Sequence, residues 1–241
     1  MRSPGRDLLG IGLAGLSGVA MLAALGMVFF YAPREATMGD VQRIFYFHVA
    51  SAWVGFFAFL VTFLMGVAYL GRRERKWDIL GLCSVEIGLV FITMAVVSGS
   101  LWARPVWGTY WTWEPRLTIS FVQLLIYVAY RRLRAAVEGP ERRARYAAVY
   151  GIVAFVTVPL SWFAIRWWRT IHPDILTGGG GMAVTSRMVH TLLVSLAAFT
   201  LLYATLLRLR TRLEQTVEAV AHLRTHVHTA VYTDQPGGSY V

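Results

Sequence analysis

The stretch LTISFVQLLIYVAY, residues 117–130, followed at once by Arg131, Arg132 and Arg134, decides the fold. Its clean apolar run is short, because a spanning helix needs about 20 mostly apolar residues. Extended to about 117–137, it spans only if the three arginines snorkel to the interface. Five other segments raise no such question: about 8–31, 44–70, 79–102, 146–165 and 188–207. Loop charge settles the sixth. With six spans and the N-terminus inside, the inner positions are Arg2, Arg6, Arg72, Arg73, Arg75, Lys76, Arg131, Arg132, Arg134, Arg142, Arg143, Arg145, Arg208, Arg210, Arg212 and Arg224. They hold sixteen of the 23 basic residues, as the positive-inside rule asks. Without the fourth span, a six-arginine loop falls outside.

The reading is therefore an all-α integral membrane protein, a six-transmembrane-helix bundle with cytoplasmic N- and C-termini. Composition agrees. Of 241 residues 56% are hydrophobic and 15% charged, against about 25% charged in soluble domains, and the mean hydropathy is +0.53. The formal charge of +10 sits in short clusters between apolar runs, which fits a membrane surface and not nucleic acid. The apolar run from Leu8 is too long for a signal-peptide core and leads to Pro33 and Arg34, so it reads as a retained first helix. Residues 1–210 form the membrane domain, with a Trp-rich outer loop at about 103–116. Residues 211–241 form a cytoplasmic tail. Its apolar positions Leu209, Leu213, Val217, Val220, Leu223, Val227 and Val231 recur at helical steps, predicting an amphipathic surface helix before a loose Pro-Gly end. Gly178–Gly181 predicts a flexible stretch in the last outer loop.

The chemistry concentrates on the outer side. Trp102 leads into Trp107, Gly108, Thr109, Tyr110, Trp111, Thr112, Trp113, Glu114, Pro115 and Arg116. An interfacial aromatic belt populates both faces. Here Trp102, Trp107, Trp111, Trp113, Trp162, Trp167 and Trp168 all fall outside, seven of the nine tryptophans, so the loop reads as a binding surface. Indole faces suit a flat, apolar, conjugated ligand such as a macrocycle. His48 and His190 open helices two and six at similar depth on the same side. Paired imidazoles there point to axial ligation of haem iron, with zinc as a rival that lacks further ligands. His172 reads as a surface-loop histidine, and His222 with His226 as a solvated helix face. Arg43, Arg104, Arg116 and Arg187 flank these elements and suit the two haem propionates. Glu114 is placed to pair with Arg116 or polarise a ligand. Glu86, inside helix three, reads as a bond to another helix. The lone Cys83 excludes an intrachain disulfide and a Cys-x-x-Cys-His attachment, so any haem is b-type and non-covalent.

The run Trp107–Thr118, with Met38–His48 and the later His190, closely resembles the CcmC family, a membrane component of the cytochrome c maturation system. That family lies within the haem-handling superfamily defined by the Trp-rich loop. The resemblance covers about residues 8–210 in length, span count and motif. It implies a transfer factor in the bacterial inner membrane that holds haem as cargo at the periplasmic face, with residues matching His48 and His190 as axial ligands. It also implies partners: a periplasmic haem chaperone that takes the haem covalently, an ABC transporter pair, and a small membrane subunit. Tyr110 stands where the family usually has Trp, and Glu114 where it has Asp. Two other readings share the features: a b-type electron-transfer subunit, and a transporter carrying haem across the bilayer.

Overall fold

The computed structural model describes residues 7–168, 172 and 185–233, and these form helices and short connections without a named strand. The Gly178–Gly181 stretch and the Pro-Gly end lie outside the described residues. Helix α1 (Leu8–Gly26) continues into a π-turn, Met27–Tyr31. A short 3-10 turn, Asp40–Arg43, leads into α2 (Ile44–Arg72). Then follow α3 (Arg75–Trp107), α4 (Pro115–Ala136), α5 (Pro140–Ala154), α6 (Thr157–Trp167) and α7 (Ser186–Thr233). Helix α1 with its π-turn, α2, α3, α5 together with α6, and α7 give five units long and apolar enough to cross a membrane.

Helix α4 makes the sixth. It has 22 residues, about 33 Å at 1.5 Å rise, enough for a hydrocarbon core of about 30 Å. Its last turn puts Arg134 on Asp78 at the start of α3. Its first turn puts Arg116 in the same cavity as Trp107 at the end of α3. The two helices are therefore antiparallel and cover the same depth. The arginines do not all snorkel, however. Arg134 and Asp78 are buried, at 5% and 3% side-chain exposure, and join in a fork-to-fork pair with Nη2 donating to Oδ2 at 2.9 Å. Arg131 reaches Glu86 at 2.7 Å. A paired charge is tolerated in an apolar surround where a lone one is expelled. The short apolar run of α4 is completed by acids on its neighbour, which is invisible to hydropathy.

The centre of the bundle is the α2–α3 hairpin. A Cβ on Gly88 would lie 2.9 Å from Ala58 Cβ and from the Phe59 ring, so the missing side chain lets the backbones close up, as in small-residue membrane interfaces. Phe59 in turn stacks on Tyr127 of α4 with ring centres 3.5 Å apart. Both rings are fully buried.

Three boundaries depart from the sequence reading. Helix α3 runs past Trp102 and Ala103 to Trp107 with Pro105 inside it, so the loop proper is only residues 108–114. Pro105 lies in the last turn, where one lost hydrogen bond costs little cooperative structure. Gly108, at φ +75°, closes the helix by donating to Arg104 O at 3.0 Å. The fifth span is broken between α5 and α6, because Pro159 cannot donate to the carbonyl four residues back. The tail continues α7 without interruption. That helix has 48 residues, about 72 Å, and contains no Gly or Pro to stop it. Arg208 and Arg212 bind Asp7, Arg210 binds Glu86, and Arg75 binds Glu218. The apolar tail positions Leu209, Leu213, Val217, Val220, Leu223 and Val227 remain exposed.

Candidate functional site

At the end of the bundle bearing residues 108–114, the helices enclose a cavity of about 270 Å³. Helix α2 contributes His48, Ala52 and Phe56. Helix α3 contributes Ile92, Ala95, Gly99, Trp102 and Trp107. Trp111 comes from the loop, Arg116, Leu117 and Ser120 from α4, and His172 from the connection between α6 and α7. The lining joins apolar and aromatic side chains with the polar groups of His48, Arg116, Ser120 and His172.

His48 is the most constrained member. Its Nδ1–H donates to Ala95 O at 2.9 Å. A carbonyl only accepts, so this bond fixes the tautomer and leaves Nε2 with its lone pair. Such a bond to the far nitrogen is the usual support of a metal-binding imidazole. The ring is backed by Trp102, whose centre is 6.0 Å away, and by Gly99, where a Cβ would lie 2.7 Å from His48 Cε1. Glycine at 99 is thus what admits the ring.

His172 lines the same cavity, its ring centre 6.5 Å from that of His48 and the planes 42° from parallel. His190 lies elsewhere. It is exposed on α7, its Nδ1 is 3.3 Å from the Tyr31 hydroxyl, and it does not line the cavity. The geometry therefore groups His48 with His172, the histidine that sequence reasoning set aside as a loop residue. A signal was present: His172 follows the adjacent Trp167 and Trp168, part of the same lopsided tryptophan distribution.

The Trp motif divides. Trp102, Trp107 and Trp111 line the cavity. Trp113 is 72% exposed and meets Trp111 edge-on at 5.8 Å. Trp162, Trp167 and Trp168 are also exposed and do not line the cavity. Gly108 and Thr109 shape the loop: Thr109 Oγ1 lies 3.1 Å from Trp111 O, and Ser100 donates to Tyr110 O at 2.8 Å. Tyr110 faces outward under the Arg104 guanidinium, 5.5 Å from its ring centre. Arg104 also bonds Gly108 O. Glu114 caps α4 and accepts from Thr118 N through its carbonyl.

Of the four arginines only Arg116 lines the cavity, positioned by donating to Ser161 O at 2.9 Å. Arg43 donates to Val28 O and pairs with Asp40, and Arg187 lies over the Tyr31 ring at 4.5 Å. Two further donors were not foreseen. The indole N–H groups of Trp102 and Trp111 are buried without an acceptor among the described residues. Buried donors ordinarily find partners, so these two suit a ligand bearing carboxylates beside Arg116. Glu35 and Met38 also line the site, with the Glu35 carboxylate accepting from Thr37 N at 2.7 Å.

Comparison with known proteins adds the lineage. The family model described as heme exporter protein C matches residues 7–226. A heme exporter protein C of Bradyrhizobium diazoefficiens is 36% identical over 176 residues, covering 73% of this chain and 67% of that protein. One of Escherichia coli is 33% identical, covering 76% of this chain and 74% of that protein. A putative cytochrome c biosynthesis ccmC-like mitochondrial protein of Arabidopsis thaliana is 28% identical, covering 82% and 73%. A match of this extent, along all the helices that build the cavity, places the chain in the CcmC family, to which it belongs.

Proposed function

We propose that this protein handles haem in cytochrome c maturation, holding it non-covalently in the Trp-lined cavity and passing it to a soluble acceptor. The observation that carries the reading is the pair His48 and His172, with ring centres 6.5 Å apart. Two imidazoles sharing one metal, with bonds of ~2 Å to nitrogen, have ring centres at about this separation. His48 presents Nε2, and the cavity supplies indole faces for a macrocycle and Arg116 with two indole donors for carboxylates. His190 was the expected second ligand. The geometry favours His172 in that role.

Loop charge supports a periplasmic site, cytoplasmic termini and an inner-membrane location. A cleft at the end of the bundle, lined by Trp111 of the loop, suits capture and release better than a deep four-helix pocket. The acceptor we propose is a periplasmic haem chaperone, with an ABC transporter pair and a small membrane subunit alongside. Glu86 is taken up by Arg131 and Arg210, which favours its structural role over a polar path across the bilayer.

The test is spectroscopic. Protein purified from haem-replete cells should show a six-coordinate, low-spin haem spectrum, lost in His48→Ala and in His172→Ala. Wild-type haem content in both variants would overturn the cavity assignment. Movement of that haem onto a co-purified soluble acceptor domain tests the handoff.

A further inference from the structure

Helix α7 does not stop where it leaves the bundle. Its last ion pair with the bundle, among the described residues, joins Glu218 to Arg75. The helix then continues over residues 219–233, about 22 Å at 1.5 Å rise. It leaves from the end opposite the cavity, since Arg75 opens α3 and the cavity residue Trp107 closes it. Helices this short are marginal in water and draw their stability from packing an apolar face. Composition sharpens that demand. Thr211, Thr216, Val217, Val220, Thr225 and Val227 are β-branched, and such residues favour a helix only weakly. Yet Leu209, Leu213, Val217, Val220, Leu223 and Val227 are each between 44% and 62% exposed. Their spacing is a heptad. Leu213, Val220 and Val227 take position a, and Leu209, Thr216 and Leu223 take position d. Valine at a with leucine at d favours two strands, and Val220, Leu223 and Val227 have that order. Positions e and g beside this seam hold Arg210, Arg212, Val217, Ala219, Arg224 and His226, with no acid among them. The acids of this segment, Glu214 and Glu218, lie at b and f and are held by Arg210 and Arg75. Because Arg75 belongs to the bundle and f lies opposite the seam, the seam faces away from the bundle.

We propose that the exposed seam of α7 docks one acidic amphipathic helix of a partner protein, forming a two-stranded coiled coil at the end of the bundle opposite the cavity. The partner's leucine or valine knobs cover Leu213, Val220, Leu223 and Val227. Its glutamates or aspartates meet Arg224 and His226, because Arg210 and Arg212 already hold Glu86 and Asp7. Charges at e and g set partner choice in coiled coils, and such complementarity acts on specificity and on-rate more than on raw affinity. A second copy of this chain brings the same basic flanks and supplies no acid. A lipid surface fits less well, because α7 runs on from a membrane-spanning segment without a break, which carries the seam out of the bilayer. The proposal uses no residue of the cavity and stands apart from the haem reading.

The experiment places the full chain in phosphatidylcholine nanodiscs and titrates it into fluorescent four-heptad peptides read by anisotropy. One probe carries leucine at a and d with glutamate at e and g, and the other has lysine in place of the glutamates. The acidic probe should bind, and the lysine probe should bind roughly ten-fold more weakly. Leu223→Gln, on the exposed face beyond the last tie to the bundle, should weaken the acidic probe by about the same factor. Arg224→Glu should shift preference toward the lysine probe. Unchanged thermal unfolding of the bundle in both variants confirms that the fold is intact. Equal binding of the two probes, or no binding of either, overturns the proposal. So does a dimer in sedimentation that Leu223→Gln abolishes while neither probe binds, which would assign the seam to a second copy. Protection of Arg224 from trypsin in phosphatidylglycerol nanodiscs, lost in Leu223→Gln and paired with no probe binding, would assign it to lipid and also overturn the proposal.

Discussion

Gly99→Ala offers a sharp test because it pits fold against site. In an exposed or half-exposed helix position, alanine is favoured over glycine by about 1 kcal/mol, so α3 should hold or gain stability. The new methyl carbon, however, would sit 2.7 Å from His48 Cε1 and 3.1 Å from Nδ1. Carbon pairs are comfortable at about 3.5–4.0 Å, so the imidazole must retreat by roughly 1 Å. It cannot do so and keep its bond to Ala95 O at 2.9 Å. Metal–ligand distances tolerate shifts of only about 0.2 Å, and loss of a supporting bond typically costs about 10–100-fold in metal affinity. Haem retention should therefore fall at least ten-fold while the melting temperature in detergent is unchanged or higher. Absorption at the haem band per mole of purified protein, set beside thermal unfolding of the same preparation, reads both. Wild-type haem occupancy and band position in Gly99→Ala would refute the placement of His48 as ligand.

Other substitutions probe the remaining links. His172→Ala should lose the six-coordinate spectrum while His190→Ala keeps it, and the reverse pattern would restore His190 to the cavity. Arg134→Leu leaves the Asp78 carboxylate buried, a loss of about 3–5 kcal/mol by analogy with other broken buried pairs. The double variant Arg134→Leu, Asp78→Leu should recover much of it, read as detergent unfolding temperature or membrane yield. Equal loss in both variants would count against a paired charge. The hydrogen bond from Arg208, helped by Arg212 and the Gly10 amide, lowers the Asp7 carboxyl to about 2, against about 3.9 in an unfolded chain. A lowered carboxyl contributes stability above its unfolded value and loses it as pH falls through the folded one. Protection of amides in the first turns of α1, measured against the intrinsic exchange rate at each pH, should thus fall between about pH 4 and pH 2, and Asp7→Asn should flatten that step. A step of the same size in Asp7→Asn would assign it to another group.

The fold was legible wherever apolar runs carried it, and charge asymmetry recovered the one helix that hydropathy alone misses. What could not be read was why α4 tolerates its arginines. That answer lies in Asp78 and Glu86, 56 and 45 positions away from Arg134 and Arg131, and no local window brings them together. The extent of α3 was hidden by Pro105, which reads as a stop but falls where a helix loses least. The tail's periodicity was plain, and its residues are helical; what periodicity did not show is that they continue α7, which contains no Gly or Pro to interrupt it.

The site was legible as an inventory and not as an arrangement. Trp102, Trp107, Trp111, Arg116 and His48 line one cavity because α2, α3 and α4 pack at one depth. Helix-start counting gave His190 that depth too, but depth is one coordinate of three, and α7 turns His190 toward Tyr31 and away from His48. The loop histidine His172 carries no periodic signal, and only packing brings it near His48.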